Sequence, residues 1–520
     1  MAAAGAAFAG PSLGCSDVTY TYIPCLGPAQ APAPVPGMTY IRASEIGCAL
    51  DCNLYDGRNK NTGGPATDDA PRINAAMAAA SASHPITLII DGSALISGLF
   101  LPAGGHWSIA GLGCGTGFFV KSGTNNDGIH NGPPDAGVPG DPGPPAPARG
   151  SNVSLSNFTL NGNRGNGHNG NSTTGAPQGT PRTWYVGINL MNLDNIHVEN
   201  VVVVNTPAYH FRFSNVGNVT VSGCVMQSHG PSTDGLHFDG PANDISISKC
   251  NFTTDDDAIA LNCPEGYSGN ISRVAVSNCQ FKSWSLMRLY STSNRKFNID
   301  TVTVSNCNGV LEQAGFLIGA SSEAHPDSVD NLSISDCTLT APAILEVGVN
   351  FGTVVLSNVT LVPSGANQSP GYAFLRTSKY FKDGTYIGAS LSLKNCIIQR
   401  NDDYDVAAVI VEYNSVISAL EFNGFAIQDA GAHNKARELV TVSAGSIGQL
   451  ILDAVDNTRI GAPVSDGGFV AIGSVSGAGV LATRWEFPDV VMANNVPYIS
   501  AATGLPSIKI NGVVELYSQG

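Results

Sequence analysis

The sequence is poor in charge, and basic residues are the scarcer kind. Charged residues make up 12% of the 520 positions, and 25 Lys and Arg against 40 Asp and Glu give a net charge of -15. A nucleic-acid partner is therefore not expected, because phosphate binding needs a basic surface. The same balance disfavours a strongly anionic polysaccharide unless a local basic cleft overrides it. No apolar run approaches the roughly 20 residues of a membrane span, so none is predicted.

The N-terminal arm, residues 1–54, lacks regular patterning. Met1–Gly10 has neither the charged region nor the long apolar core of a signal peptide, and we interpret it as a trimmed or remnant leader. Disulfide bridges between loops of the arm would imply an oxidising compartment, and hence a secreted or periplasmic protein, with free thiols as the alternative. The bridges would use the four cysteines of the arm, Cys15, Cys25, Cys48 and Cys52.

Beyond the arm, the chain repeats itself. Sixty Gly, together with many Asn, Ser, Thr and Val, favour short strands joined by tight turns. A period in the twenties, with apolar and polar residues alternating, indicates that each repeat is one coil of a solenoid. Five cysteines follow near-identical strand endings at steps of 26, 29, 28 and 30 residues: Cys224, Cys250, Cys279, Cys307 and Cys337. The same phrase recurs at 153–158, 196–201, 354–359, 391–396 and, more faintly, 420–425.

The predicted fold is all-β, a right-handed single-stranded parallel β-helix over residues 55–430 with an N-terminal capping helix. Equivalent strands of successive coils would pair at about 4.8 Å, which would place the repeated cysteines in one column. Small apolar core residues are the favoured interpretation of this column. The spacing matches no zinc pattern, and parallel Cβ vectors do not suit disulfides.

The N-terminal end of the solenoid is predicted to be covered by a helix. Thr67-Asp68-Asp69 offers N-cap oxygens, Pro71 suits a first helical turn, and residues 73–80 favour a helix that would cover the open N-terminal end. Residues 431–520 remain strand-rich and are predicted to form further β coils or a C-terminal cap.

Two segments near 132–150 and 161–183 interrupt the period. The first is rich in Pro and Gly and the second in Gly and Asn, so both are predicted to be loops between coils that wall a cleft. Glycosylation sequons are also present, but Asn at the corners of coils explains them more simply. These sequons include Asn152, Asn157, Asn218 and Asn331.

Four carboxylates converge on two neighbouring coils. Asp234 lies in Ser232–Phe238, and one coil later the segment Thr254–Leu261 carries Asp255, Asp256 and Asp257. One Asp at a strand corner is explained by a turn, but four together repel one another unless a proton is shared, a metal binds or function demands them. Glycosidic hydrolysis demands such a group, because one carboxylic acid protonates the leaving oxygen while another carboxylate activates water.

In these residues the chain resembles the polygalacturonases, glycoside hydrolase family 28, within the pectin-lyase-like β-helix superfamily. The resemblance covers roughly residues 55–310, and its most specific part is Thr233-Asp234-Gly235 followed one coil later by Asp256-Asp257. It implies an inverting, metal-independent glycoside hydrolase without a cofactor. Asp256 would be the general acid, and Asp234 and Asp257 would orient the attacking water.

The chain departs from the family at two motifs. Trp284-Ser285-Leu286 replaces the Gly-His-Gly on the coil after the aspartate pair, so the family's histidine is missing. Residues 314–318 lack the Arg-Ile-Lys whose basic residues bind a galacturonate carboxylate in the family. We therefore expect a poly- or oligosaccharide substrate other than plain polygalacturonate.

Strand parity predicts a row of side chains beside the aspartates. The inward residues would be Phe211, Leu236, Ile259, Met287 and Phe316. Their outward neighbours would form the cleft floor: Arg212, His237, Ala260, Arg288 and Leu317. The polar members of this row would hydrogen-bond sugar hydroxyls or a sparse acidic group, and an exposed strand face with scattered polar residues is the alternative. The predicted substrate-binding residues are Asp255, His237, Arg288, Arg212 and Tyr290, the last as a stacking platform.

Other functions stay open on the same fold. Aspartates on neighbouring coils would also suit a calcium-dependent polysaccharide lyase, with Arg288 as its base. Loss of the family's histidine favours a non-catalytic, tailspike-like carbohydrate-binding β-helix. The three matched aspartates disfavour it, because a binding protein would gain nothing from the repulsion among them. A transglycosylase or a fructan-processing enzyme is a further alternative, and the expected partner is a carbohydrate in each case.

Overall fold

The computed structural model describes most of the chain from residue 35 to residue 515. The first ten residues, Cys15, Cys25 and most of the two predicted loops lie outside the described residues. Positions left out within this range are 114, 125, 133–147, 165–184, 292–296, 320–327, 366–371, 378–386, 401–405, 412–414, 430–439, 443–444, 457–469, 473–483, 492–498, 502–507 and 511–512.

Short strands make up most of the described chain, and its one helix is α1, Ala70–Met77. The predicted all-β class is confirmed. The strands are β1 Thr39–Arg42, β2 Ile86–Ile90, β3 Ser93–Ile96, β4 Leu99–Leu101, β5 Gly105–Gly111, β6 Gly117–Val120, β7 Ile129–Asn131, β8 Gly150–Ser156, β9 Thr159–Asn161, β10 Ile188–Glu199, β11 Val202–Val204, β12 Phe211–Ser222, β13 Val225–Gln227, β14 Leu236–Ser248, β15 Asn251–Thr253, β16 Asp257–Asn262, β17 Ile271–Ser277, β18 Gln280–Tyr290, β19 Ile299–Ser305, β20 Asn308–Ile318, β21 Ser328–Ser335, β22 Thr338–Ala341, β23 Ala343–Val347, β24 Asn350–Ser357, β25 Thr360–Pro363, β26 Tyr372–Thr377, β27 Ile387–Lys394, β28 Ile397–Arg400, β29 Val406–Val411, β30 Ser415–Asn423, β31 Ala426–Asp429, β32 Val440–Val442, β33 Gly445–Asp456, β34 Val470–Ile472, β35 Arg484–Val491, β36 Ile499–Ala501, β37 Ile508–Ile510 and β38 Val513–Glu515.

The described residues fall into two compact units. In the first unit, β2 pairs with β5, β5 with β8 and β8 with β10, all in parallel. In the second unit, β17, β19, β21, β24, β27 and β30 form a parallel ladder in that order. The first unit comprises Met1–Phe213, Val221–His237 and Thr253–Asp256, and the second comprises Ser214–Thr220, Phe238–Phe252 and Asp257–Gly520.

The sequence repeat coincides with this ladder. Equivalent apolar residues of successive repeats lie opposite one another and are buried: Val274, Val302, Leu332, Val354 and Leu391. Each repeat is thus one coil, as predicted, because stacking is what buries its apolar face.

A left-handed backbone ends most of these coils. Lys249, which directly precedes Cys250 of the repeat, has this left-handed conformation, with φ of +56°. Asn and Asp tolerate it better than most residues, because their short polar side chains hydrogen-bond locally. The corner interpretation is confirmed for Asn157, which lies between β8 and β9 with φ of +59°. Asn152 and Asn218 also have left-handed φ angles, +61° and +53°, but lie within β8 and β12, and Asn331 lies within β21. The residues that end the later coils have φ between +49° and +56°: Asn278, Asn306, Asp336, Asn358 and Asn395.

The cysteine column of the second unit is confirmed as buried core. The backbone N–H of Cys250 donates to Sγ of Cys279 at 3.4 Å, as expected for thiols on neighbouring coils. Contacts with neighbouring thiols and burial raise the pKa of Cys279. The free, buried thiols of this column are Cys250, Cys279, Cys307 and Cys337.

The disulfide prediction is wrong for Cys48 and Cys52, which are buried free thiols. Cys52 packs with Leu54, Leu95 and Phe119 as a small apolar residue. The arm is fixed by hydrogen bonds instead, since the backbone N–H groups of residues 49 and 50 donate to the Asp69 carboxylate at 2.7 and 3.0 Å. Cysteine count alone does not distinguish these two ways of fixing a loop.

Helix α1 begins where the sequence predicted but ends at Met77 rather than at residue 80. Asp69 is the N-cap residue, yet its side chain makes no capping hydrogen bond, because the arm uses both of its oxygens. Oδ1 of Asp68 accepts from the N–H of Ala70 at 3.1 Å instead. The covering role of the helix stays a prediction.

Residues 431–520 contribute strands β32 to β38. β33 pairs in parallel with β30, and β35 with β33, while β37 and β38 pair antiparallel. The proposed division at residue 430 stays a prediction. No helix in the described part of the chain is long and apolar enough to cross a membrane.

Candidate active site

Asp234 lies just before β14, in the first unit, and is buried. Its Oδ2 lies 2.6 Å from Nδ1 of His237, three residues further on. Its backbone carbonyl accepts from both the N–H and the ring Nδ1 of His210, at 2.9 Å each. Side chain and backbone are therefore fixed by separate histidines.

His237 is covered rather than presented to solvent. The ring of Tyr209 stacks on its imidazole, with ring centroids 3.9 Å apart and an interplanar angle of 8°. His237 is 1% exposed, whereas Tyr209 is half-buried. The outward-facing position predicted from strand parity is thus closed by an aromatic ring from the preceding coil.

Asp255 and Asp256 bind the loop that leads into Asp234. Asp255 accepts from the Gly230 N–H at 2.7 Å and contacts Nδ1 of His229 at 3.1 Å. Asp256 Oδ2 accepts from the Ser232 N–H at 2.8 Å. Burial raises the pKa of Asp255, but the hydrogen bonds from His229 and Gly230 outweigh it, and the net pKa lies below its usual range. Asp255 itself is exposed and is occupied with this loop.

These contacts bring two of the predicted catalytic carboxylates together. An oxygen of Asp234 and an oxygen of Asp256 lie within 4.8 Å of each other. Each carboxylate has its own fixed donor, His237 for the first and the Ser232 N–H for the second. Two carboxyl groups at this separation can share a proton, act as an acid and base pair, or bind a cation.

Arg164 also fixes this part of the first unit, although no sequence pattern indicated it. Its Nη1 donates to the carbonyls of Thr206, at 3.0 Å, and of Pro207, and its Nη2 to that of Pro231 at 3.4 Å. One guanidinium therefore joins the turn before Tyr209 to the loop before Asp234. A lone Arg beside a Gly- and Asn-rich segment gives no indication of such partners.

A second group missed by sequence reasoning lies deeper in the first unit. Asp127 accepts from the Val186 N–H at 2.9 Å and from Nδ2 of Asn189 at 2.8 Å, and lies 3.2 Å from Nδ1 of His130. Asp127, His130 and Asn189 are all buried, and His130 and Asn189 are opposite each other in β7 and β10.

Arg212, which strand parity predicted to lie on the cleft floor in this unit, is buried, with 8% of its surface exposed.

The second unit contains Asp257, the first residue of β16. It is buried, and its Oδ1 accepts from the hydroxyl of Ser285, its partner across the ladder, at 2.5 Å. Ser285 is the central residue of the motif in which the family's histidine is absent. A neutral hydroxyl donor thus contacts this carboxylate.

The predicted register of the row is confirmed in the second unit. Ala260 lies opposite Arg288, and Arg288 opposite Leu317. The guanidinium of Arg288 lies 4.8 Å from the centroid of the Tyr290 ring, so the predicted stacking platform already carries a cation. The inward residues of this unit are buried at the predicted register: Ile259, Met287 and Phe316.

The same row continues into an ion pair that the sequence did not reveal. Leu317 lies opposite Glu346, and Glu346 opposite Arg376. Arg376 Nη2 and Glu346 Oε2 are 2.7 Å apart, and both side chains are buried. Oε2 of Glu346 also accepts from Nε2 of Gln313 at 2.9 Å.

Comparisons with known proteins give one family match and several similar folds. Residues 149–344 match the family model described as glycosyl hydrolases family 28. The family 28 exopolygalacturonase of Yersinia enterocolitica has a similar structure, with a TM-score of 0.55, 12% identity, and coverage of 82% of this chain and 79% of that one. The exopolygalacturonase of Thermotoga maritima gives a TM-score of 0.46 at 12% identity, covering 82% of this chain and 94% of that one. PfbA, a surface adhesin of Streptococcus pneumoniae, gives a TM-score of 0.49 at 12% identity, covering 78% of this chain and 92% of that one. A search of the curated proteins finds no match.

Parallel coils of this kind define a parallel β-helix protein. The resemblance to glycoside hydrolase family 28 is confirmed over residues 149–344, the segment that carries every predicted site residue.

Proposed function

We propose that the protein is a glycoside hydrolase that cleaves an O-glycosyl bond of a poly- or oligosaccharide by aspartate acid and base catalysis. The observation that carries the proposal is the pair Asp234 and Asp256, whose oxygens lie within 4.8 Å and whose orientations are fixed by separate donors. A carbohydrate substrate agrees with the family match.

The roles follow from the chemistry of the bond. Asp256 donates a proton to the leaving glycosidic oxygen, and Asp234 accepts a proton from the water that attacks the anomeric carbon. Asp257 follows Asp256 directly in the chain, and we include it with Asp234 as a residue that orients the water. No metal or cofactor enters these steps.

The resemblance implies inversion of the anomeric configuration, whereas the proximity of the two carboxylates does not by itself imply it. Carboxyl groups of retaining enzymes are about 5–5.5 Å apart and those of inverting enzymes about 6.5–9.5 Å. Oxygens within 4.8 Å lie nearer the first range. The anomer formed first, observed by proton NMR during hydrolysis, decides: the inverted anomer supports the proposed mechanism, and the retained one replaces it with a covalent intermediate.

We further propose a substrate with few acidic groups. The predicted substrate-binding residues Arg212 and Arg288 are offset by the net charge of -15, and the chain lacks the family's Arg-Ile-Lys motif. Arg288 and Tyr290 form one cation and aromatic surface that suits a sugar ring with an occasional carboxylate. A secreted or periplasmic location suits a polysaccharide substrate, although free Cys48 and Cys52 lend it no support.

The test is a screen of neutral and acidic polysaccharides for new reducing ends, with and without a chelator, on the wild type and Asp256→Asn. Asp244→Asn is the matched control, because Asp244 is exposed and paired with Arg273. Reducing ends that resist the chelator, disappear in Asp256→Asn and persist in Asp244→Asn support the proposal. Loss in both variants would contradict it.

A calcium-dependent lyase is the second candidate, because oxygens within 4.8 Å could also bind one cation. Arg288 would then abstract the proton beside a uronic carboxylate. Chelator-sensitive products that absorb in the ultraviolet would establish this alternative. A glycan that binds without any product would establish the non-catalytic carbohydrate-binding β-helix.

A further inference from the structure

We propose that His237 and Tyr209 are positioning residues that act through Asp234, and that His237 does not contact the sugar. The inference rests on the proposed function and gives these two residues their part in it. Its starting point is the order of contacts outward from the carboxylate: Asp234, then the imidazole of His237, then the ring of Tyr209.

Burial separates this role from substrate binding. A side chain that is 1% exposed and covered by a parallel ring has no free face for a sugar hydroxyl. Its Nδ1 lies 2.6 Å from Oδ2 of Asp234, the distance of a charge-assisted hydrogen bond. His237 therefore occupies one oxygen of Asp234 and orients the other.

Chemistry assigns the direction of this hydrogen bond. An ionised carboxylate only accepts, so Nδ1 of His237 carries the proton. An oriented, ionised Asp234 is the form that accepts a proton from water. Fixing the carboxylate before substrate arrives lowers the cost of reaching the transition state.

Tyr209 is itself held from its N-terminal side. The Thr206 hydroxyl donates to the carbonyl of Ala208 at 2.7 Å, and the Thr206 N–H donates to the Ser228 hydroxyl at 2.9 Å. Arg164 donates to the Thr206 carbonyl at 3.0 Å. The ring is thus placed over the imidazole by a turn with defined partners.

The first test uses substitutions that keep or remove the single donor. An Asn side chain places its amide Nδ2 near the position of Nδ1, whereas Gln extends past it. Loss of the donor in His237→Gln should lower kcat about 10- to 100-fold, as typical for groups that orient a catalytic residue, and His237→Asn should restore much of it. In both variants KM should stay within about twofold of wild type, because no substrate contact is lost.

The stack is tested in the same way. Tyr209→Leu should lower kcat at unchanged KM, and Tyr209→Phe should restore it, because Phe supplies the ring without the hydroxyl. A rise in KM at unchanged kcat in His237→Gln or Tyr209→Leu would show direct substrate binding and overturn the inference. Failure of His237→Asn and Tyr209→Phe to restore kcat would also overturn it.

A second readout does not depend on activity. Nitrogen NMR of protein with labelled histidine should show His237 protonated at Nδ1, with a signal that moves in Asp234→Asn and not in Asp244→Asn. A His237 signal protonated only at Nε2, or unmoved in Asp234→Asn, would refute the contact. If the wild type hydrolysed no glycan, the proposed function would fail while this spectrum still decided the arrangement.

Discussion

Ser285 and Asp257 lie opposite each other on neighbouring strands, and the serine hydroxyl donates to the aspartate at 2.5 Å. Both residues are buried. The Asp257 carboxylate therefore accepts from a neutral donor here. The hydroxyl of Ser283 donates to the Ser285 carbonyl instead.

Ser285→Ala is expected to lower kcat and to destabilise the fold by about 1–3 kcal/mol, because a buried charged acceptor loses a donor. Kinetics on the identified glycan and urea unfolding measure the two effects. Ser246→Ala, on the exposed face of β14, is the control and should change neither. Wild-type kcat in Ser285→Ala would remove Asp257 from the proposed mechanism.

His210 predicts a dependence of stability on pH. Burial lowers the pKa of this histidine from 6.5 to about 4, against the opposing contact with the Asp234 carbonyl. As pH falls below 6.5, His210 becomes protonated in the unfolded chain but stays neutral in the folded chain. The free energy of unfolding therefore falls until pH reaches about 4. The loss attributable to this group is about 3 kcal/mol.

The measurement is urea unfolding of the wild type and His210→Asn between pH 7 and pH 4. The difference between the two proteins isolates His210 from the carboxylates that both share. Parallel curves across this range would contradict the prediction.

The buried pair Glu346 and Arg376 predicts a strong asymmetry between single and double substitutions. Arg376→Met should destabilise by about 3–5 kcal/mol, because Glu346 is left charged and buried. Combining it with Glu346→Gln should recover most of the loss, since the amide can still accept from Gln313.

Chemical unfolding of the two single variants and the double variant gives the coupling. Arg273→Met, in an exposed pair with Asp244, is the control and should have a far smaller effect. Equal losses in Arg376→Met and the double variant would show that the pair is not coupled.

Free, buried Cys48 and Cys52 should be inert to alkylation in the folded protein. Burial raises the pKa of each thiol to about 12. At pH 8 the thiolate fraction is then on the order of 10⁻⁴, and thiolate is the reactive form. Mass spectrometry after iodoacetamide should show both residues unmodified in buffer and fully modified in guanidinium without reductant. Modification only after reduction would restore the disulfide interpretation.

Periodicity accounts for what the sequence predicted. Side chains alternate between the two faces of a strand, so an inward, apolar Met287 predicts that Arg288 faces outward. Aligning the apolar residues of neighbouring coils then predicts that Arg288 lies opposite Ala260. Adjacent Asp256 and Asp257 were visible as a sequence motif, although only Asp257 lies on a strand, as the first residue of β16.

Contacts that depend on loop conformation were not visible. Tyr209 and His237 are 28 positions apart, and their stack requires the turn at Thr206 that Arg164 joins to the next loop. Cys48 and Cys52 were misinterpreted because burial of a free thiol leaves no mark in the spacing of cysteines along the sequence.

The left-handed corners give successive coils of the second unit equivalent ends. Asn278 and Asn306 end successive coils in the same backbone conformation, so the chain between them starts and finishes at equivalent points. A copy of residues 279–306 inserted after Asn306 would meet compatible ends on both sides. The second unit could therefore be lengthened by whole coils at these positions.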